Sequence, residues 1–177
     1  MSRTVSSALN LLVLSLLVGL SVLVFDGLPQ EIPVHFGADG TPDRFASTSW
    51  LSWMLLPLMA VALSVMMEGI SRLLPRMPEQ LNVPDQKAYK ALSLTDKLEV
   101  IARQQDFLSE ITLSMNVMFA AIQIGSYQVA MGSAESLPWY SLASIAGFMI
   151  YTIIVAVRAF RDSQALINRL SEVAHAV

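Results

Sequence analysis

Cysteine is absent from the 177 residues. Disulfides and thiol catalysis are therefore excluded, and cysteine usage gives no indication of compartment. Charge is scarce: 14% of the chain is charged and 54% is hydrophobic, where a globular domain carries about 25% charged residues. That balance points to an integral membrane protein. A basic surplus is missing too. With a net charge of −3 the chain lacks the positive face that a nucleic-acid partner needs, and no such partner is expected. It holds no nucleophile–base set, no glycine-rich phosphate loop and no zinc motif. A non-enzymatic protein without a cofactor is expected.

What is present is four apolar runs. Val5 to Phe25 spans roughly 30 Å as a helix, the thickness of the hydrocarbon core. It is longer than the roughly 7–15 residues of a signal-peptide core and ends without a small-x-small site, so an uncleaved span is expected. Trp50 to Leu74 begins at Trp50 and Trp53, residues of a membrane interface, and contains Pro57. Near its other end Glu68 and Arg72 are four apart, on one helical face, and are expected to pair. Ile111 to Met131 is the most polar run. Thr112, Asn116, Gln123 and Tyr127 fall near one face, which must turn inward because lipid offers them no partner. Interhelical hydrogen bonding and a polar conduit through the membrane are the two readings of that face. Leu137 to Val157 is entered through Pro138, Trp139 and Tyr140. Two small-xxx-small pairs, Ser15 with Gly19 and Ala143 with Gly147, are expected to let helices approach closely, within the bundle sooner than between subunits.

The expected fold is an all-α integral membrane protein: four transmembrane helices, an ordered extracytoplasmic loop between the first two, and cytoplasmic helical extensions. It divides into a two-span unit (1–74), a basic loop (75–110), the third and fourth spans (111–157) and an amphipathic tail (158–177). Ser93 with Asp96 forms an N-cap signal, and the helix it opens has no stop before the third span. In the tail, Phe160, Ile167, Leu170 and Ala174 form an apolar stripe, free to lie on the membrane, pack on the 85–106 segment or dimerise. With four spans, every Lys and Arg except Arg44 falls on one side. The positive-inside rule makes that side cytoplasmic, with both termini, and puts the 26–49 loop outside a bacterial inner membrane.

The outer segment DGLPQEIPVHFGADGTPD, Asp26 to Asp43, has turn formers at both ends, and Pro29, Pro33 and Pro42 forbid a helix through it. Ile32, Val34 and Phe36 alternate, which predicts an extended stretch with one face on the bundle, a lid over the helix ends. His35, Asp39 and Asp43 are spaced by four, which in a helix would place them on one face as metal ligands could be. Gly37, Gly40 and Pro42 break the helix that would align them, so a folded loop has to bring them together. Otherwise the two acids serve turns and His35 bonds a neighbour. His35 is also the one histidine able to sense pH on that side.

Leu28, Pro29, Ile32, Pro33, His35, Phe36, Gly40, Pro42 and Asp43 together resemble the LPxxIPxHFxxxGxPD signature of a bacterial membrane domain of unknown function. That domain forms the N-terminal part of SdpI-type immunity proteins. The resemblance covers roughly residues 8–72. It implies a role in sensing, or protecting against, an extracellular peptide toxin, with a protein or peptide partner on the outer loop and another on the cytoplasmic loop. This chain departs from the family in having Arg44 to Thr48 where a lysine often follows the Pro-Asp, and in having fewer spans than SdpI-type proteins. Rival expectations are a small ion-coupled transporter using Glu68 and the polar face of the third span, and an accessory subunit of a larger membrane complex. A homo-oligomer is compatible with each.

Overall fold

The computed structural model describes residues 3–175; Met1, Ser2, Ala176 and Val177, at the ends of the 1–74 and 158–177 segments, lie outside them. Among the described residues four helices are long and apolar enough to cross a membrane, and the protein is a mostly helical, multi-pass membrane protein. Helix α1 is Arg3–Leu23, α2 is Trp50–Leu73, α4 is Leu94–Ala130 and α5 is Trp139–His175. The fold is not all-α. Between α1 and α2 the chain forms an antiparallel hairpin of β1 (Glu31–Phe36) and β2 (Pro42–Ser47). A short helix, α3 (Gln86–Ala91), precedes α4.

Helices α1, α2 and α4 pack together, and α5 packs along α4. Leu17, Ala60, Met115 and Phe119 form the centre of the three-helix contact. The α4–α5 crossing is close because Gly125 has no side chain. A Cβ there would lie 2.5 Å from Ser141 Oγ, whose hydroxyl donates to the Ala121 carbonyl at 2.8 Å. The small-residue pairs expected to make such crossings do not make them. A Cβ on Gly19 or on Gly147 would meet nothing within 4 Å, so these glycines face outward.

Helices α4 and α5 each run 37 residues, about 55 Å, where the hydrocarbon core needs about 30 Å. The surplus projects at the end opposite the hairpin. Leu81, Val83, Tyr89, Leu92, Val100, Ile101, Leu166 and Ile167 form a second core there. Of the tail's expected stripe, Ile167 is buried and Leu170 packs against this core, whereas Phe160 is exposed. Ala174's side chain lies outside the described ones. The Ser93 hydroxyl caps α4 through the Asp96 N–H. Lys97 is buried against Glu79, with Nζ 2.7 Å from Oε1, and the Tyr89 hydroxyl donates to the Pro78 carbonyl at 2.8 Å. Burial, and then the neighbouring Glu79 carboxylate, raises Tyr89 above its ordinary pKa of 10.0.

Candidate functional site

An isolated two-stranded hairpin is marginal in water, so this one needs anchors, and it has three. At its base the Thr48 N–H donates to the Gln30 carbonyl at 2.8 Å and the Thr48 hydroxyl to that of Pro29. Ser49 and Ser52 cap α2 reciprocally, and the Ser52 hydroxyl also donates to the Ser47 carbonyl. On its inner face Ile32, 1% exposed, packs with Trp53 and Met54 against residues of α1 and α4. Trp53 is a core residue rather than an interfacial one: it is buried, and Nε1 donates to the Ser21 carbonyl at 2.8 Å. Trp50, by contrast, is half exposed and stacks on Phe25 at 3.7 Å. At its tip the Gly40 carbonyl accepts the Leu137 N–H at 2.8 Å, tying the turn to the start of α5. Gly40 is buried with φ +81°, and a Cβ would press on Leu137 and Leu142 at 3.4 Å. Only glycine combines that φ with that close approach.

The tip is built as the acid-rich sequence allows. Asp39 Oδ1 accepts the Thr41 N–H at 3.0 Å and the Thr41 hydroxyl at 2.7 Å. The first of these bonds, reinforced by the second, holds the Asp39 carboxyl below the usual carboxylate range. Pro42 pairs with Phe36, and Pro33 with Phe45. A two-stranded ribbon has two free edges, and there the missing proline N–H costs no ladder bond.

Pairing shifts twice, between Pro33 and His35 and again between His35 and Phe36. Val34 on β1 and Asp43 on β2 are the unopposed residues. The expected alternation therefore fails: Ile32 and Pro33 are both buried, and Val34 points out. A bulge redirects side chains in this way. It also brings Asp43 to His35, whose Nδ1 lies 2.6 Å from Asp43 Oδ1, both side chains about half exposed. Of the three candidate ligands the fold thus joins His35 with Asp43 and turns Asp39 to Thr41. Among the described residues no group of three His, Cys, Asp or Glu could hold a metal. Pro29 is exposed at the hairpin base and Phe36 half-buried near the tip.

Beneath the hairpin, the polar face of α4 is hydrogen-bonded across helices. Asn116 is fully buried; its Nδ2 donates to Asn10 Oδ1 at 2.9 Å, and Ser64 Oγ lies 3.1 Å from its Oδ1. Gln123 Nε2 donates to the Trp53 carbonyl at 3.3 Å. Tyr127 is half-buried, its ring 6.4 Å from that of Trp53. The partners Asn10 and Ser64 were not singled out by sequence spacing. An asparagine inside an otherwise apolar run was the available signal, since it must find a partner in a neighbouring helix.

At the far end α1 and α2 splay apart over α4. The gap is a groove of about 600 Å³ between Leu11, Leu14, Val61, Val65 and Thr112, with Glu68 and Arg72 at its rim. Glu68 Oε1 accepts from Arg72 Nε at 2.7 Å and from Arg3 Nη2 at 3.3 Å.

The architecture is that of a helical membrane protein capped at one end by a docked hairpin. Residues 11–61, from within α1 through the hairpin to the middle of α2, match the family model described as "Domain of unknown function (DUF1648)". An "Uncharacterized protein" of Archaeoglobus fulgidus is 35% identical over 80 residues, covering 43% of this chain and 43% of that protein. The match thus spans less than half of that relative's length. No solved structure matches.

Proposed function

We propose that this is a non-enzymatic protein of a bacterial inner membrane that senses, or shields the cell from, an extracellular peptide such as a toxin. It acts in the manner of the SdpI-type proteins its hairpin sequence resembles. The observation that carries this reading is the hairpin itself. It is fixed to the bundle at base, face and tip, while β2 presents Asp43, Arg44 and Phe45 exposed along a free strand edge. An open edge offers main-chain hydrogen bonds to an extended peptide, and a fixed edge loses little entropy on binding it. The His35–Asp43 pair and the half-exposed Phe45 ring supply side-chain selectivity beside that edge. The charge distribution supports an outside hairpin and cytoplasmic termini. The basic 75–110 segment then faces a cytoplasmic protein partner. Cells carrying His35→Ala with Asp43→Ala are expected to become sensitive to a secreted peptide that wild-type cells survive. Unchanged sensitivity across a panel of such peptides contradicts the reading.

A transporter reading draws support from the groove beside Glu68 and Thr112. Against it, Asn116 and Gln123 further along are hydrogen-bonded to neighbouring helices. Ion flux in proteoliposomes that is lost on Glu68→Gln would favour it.

A further inference from the structure

We propose that the groove between α1 and α2 is a binding site for an anionic phospholipid, with one acyl chain between the helices and the phosphate at Arg72 and Arg3. The groove's volume of about 600 Å³ falls within the range of about 300–1,000 Å³ typical of ligand sites. Most of its surface is apolar, interrupted by Ser7, Asn10, Ser64 and Ser109, and its lips, Leu11 and Val65, are exposed. Gly69 widens it: a Cβ there would meet nothing within 4 Å. Hydrocarbon gains no transfer energy in moving from bilayer to groove. What a chain supplies is contact, since the facing helices leave each other unpacked along this stretch.

The rim decides the headgroup. Two guanidiniums meet one carboxylate, leaving one positive charge in excess, and Arg72 is 73% exposed. Such a rim favours a phosphate with net negative charge over a zwitterion. The site also lies at the end of the bundle where the chain's basic residues gather.

Native mass spectrometry of the full chain, delipidated and then offered phosphatidylglycerol or phosphatidylcholine, tests this. The wild type is expected to retain one phosphatidylglycerol in preference to phosphatidylcholine. Arg72→Gln should lower that preference about fivefold, the effect of one basic residue near an anionic lipid. Gly69→Leu occupies open space in the groove while improving helix propensity, so the melting temperature should not fall; an acyl chain would then have to crowd the leucine, which should lower retention by about tenfold. Equal retention of both lipids, or undiminished retention in a stably folded Gly69→Leu, overturns the proposal. A dimer that Gly69→Leu dissociates would make a second copy the occupant and likewise overturn it.

Discussion

Ile32→Ala tests whether the hairpin is a docked element or a loosely attached loop. Ile32 is 1% exposed and touches the Trp53–Met54 cluster. The substitution removes three carbons, worth about 0.8 kcal/mol each, and leaves a cavity beside a rigid tryptophan, for a total of about 2–4 kcal/mol. The hairpin has little stability of its own, so that loss falls on docking rather than on the bundle. Amide exchange over residues 31–47 in nanodiscs should accelerate about 30- to 1,000-fold. Exchange in the middle of α1 and α2 should stay as it is. Val34→Ala serves as the control: Val34 sits exposed at the bulge, and its loss should alter exchange by no more than about twofold. If Ile32→Ala leaves the hairpin as protected as before, or loosens bundle and hairpin alike, the docking argument is wrong.

Other outcomes follow from the packing. Asn116→Leu leaves Asn10 and Ser64 without their shared partner and should lower stability by about 1–2 kcal/mol, at about 0.6 kcal/mol per bilayer hydrogen bond plus the unpaired groups; thermal unfolding in detergent measures it. Gly125→Val should push α5 off α4 and cost about 1–3 kcal/mol, whereas Gly147→Val, on a face with nothing within 4 Å, should be tolerated in the same assay. Tyr89 has a folded pKa raised above 10.0. Its contribution is therefore complete below that value and lost as pH rises through the raised one. Unfolding of the 75–106 region, followed by proteolysis, should steepen in that alkaline window and lose the steepening in Tyr89→Phe.

The spans were legible because a bilayer leaves no choice: long apolar runs must be helices, and their lengths follow from its thickness. The long α4 was legible for a different reason, the cap at Ser93 and the lack of any stop after it. The hairpin was half legible. Prolines and glycines excluded a helix and alternation gave an extended stretch, but the bulge at Val34 cannot be seen in a pattern of alternate residues. That bulge is what joins His35 to Asp43. Spacing by four had grouped Asp39 with them, yet a two-residue reach to Thr41 wins because local bonds need no chain reversal. The glycine pairs misled because small-xxx-small records only that a close approach is feasible; Gly125 against Ser141 has no such spacing and makes the contact. Trp53 misled likewise, since a tryptophan at a helix start fits an interface or a core equally well.

The central claim is that a fixed hairpin is displayed on the outer face of the membrane. The absence of native cysteine makes a direct measurement clean. Arg44→Cys and Lys87→Cys variants are exposed to a membrane-impermeant maleimide on intact cells and again after permeabilisation. The account predicts labelling of Arg44→Cys on intact cells and of Lys87→Cys only after permeabilisation; the reverse pattern would contradict it.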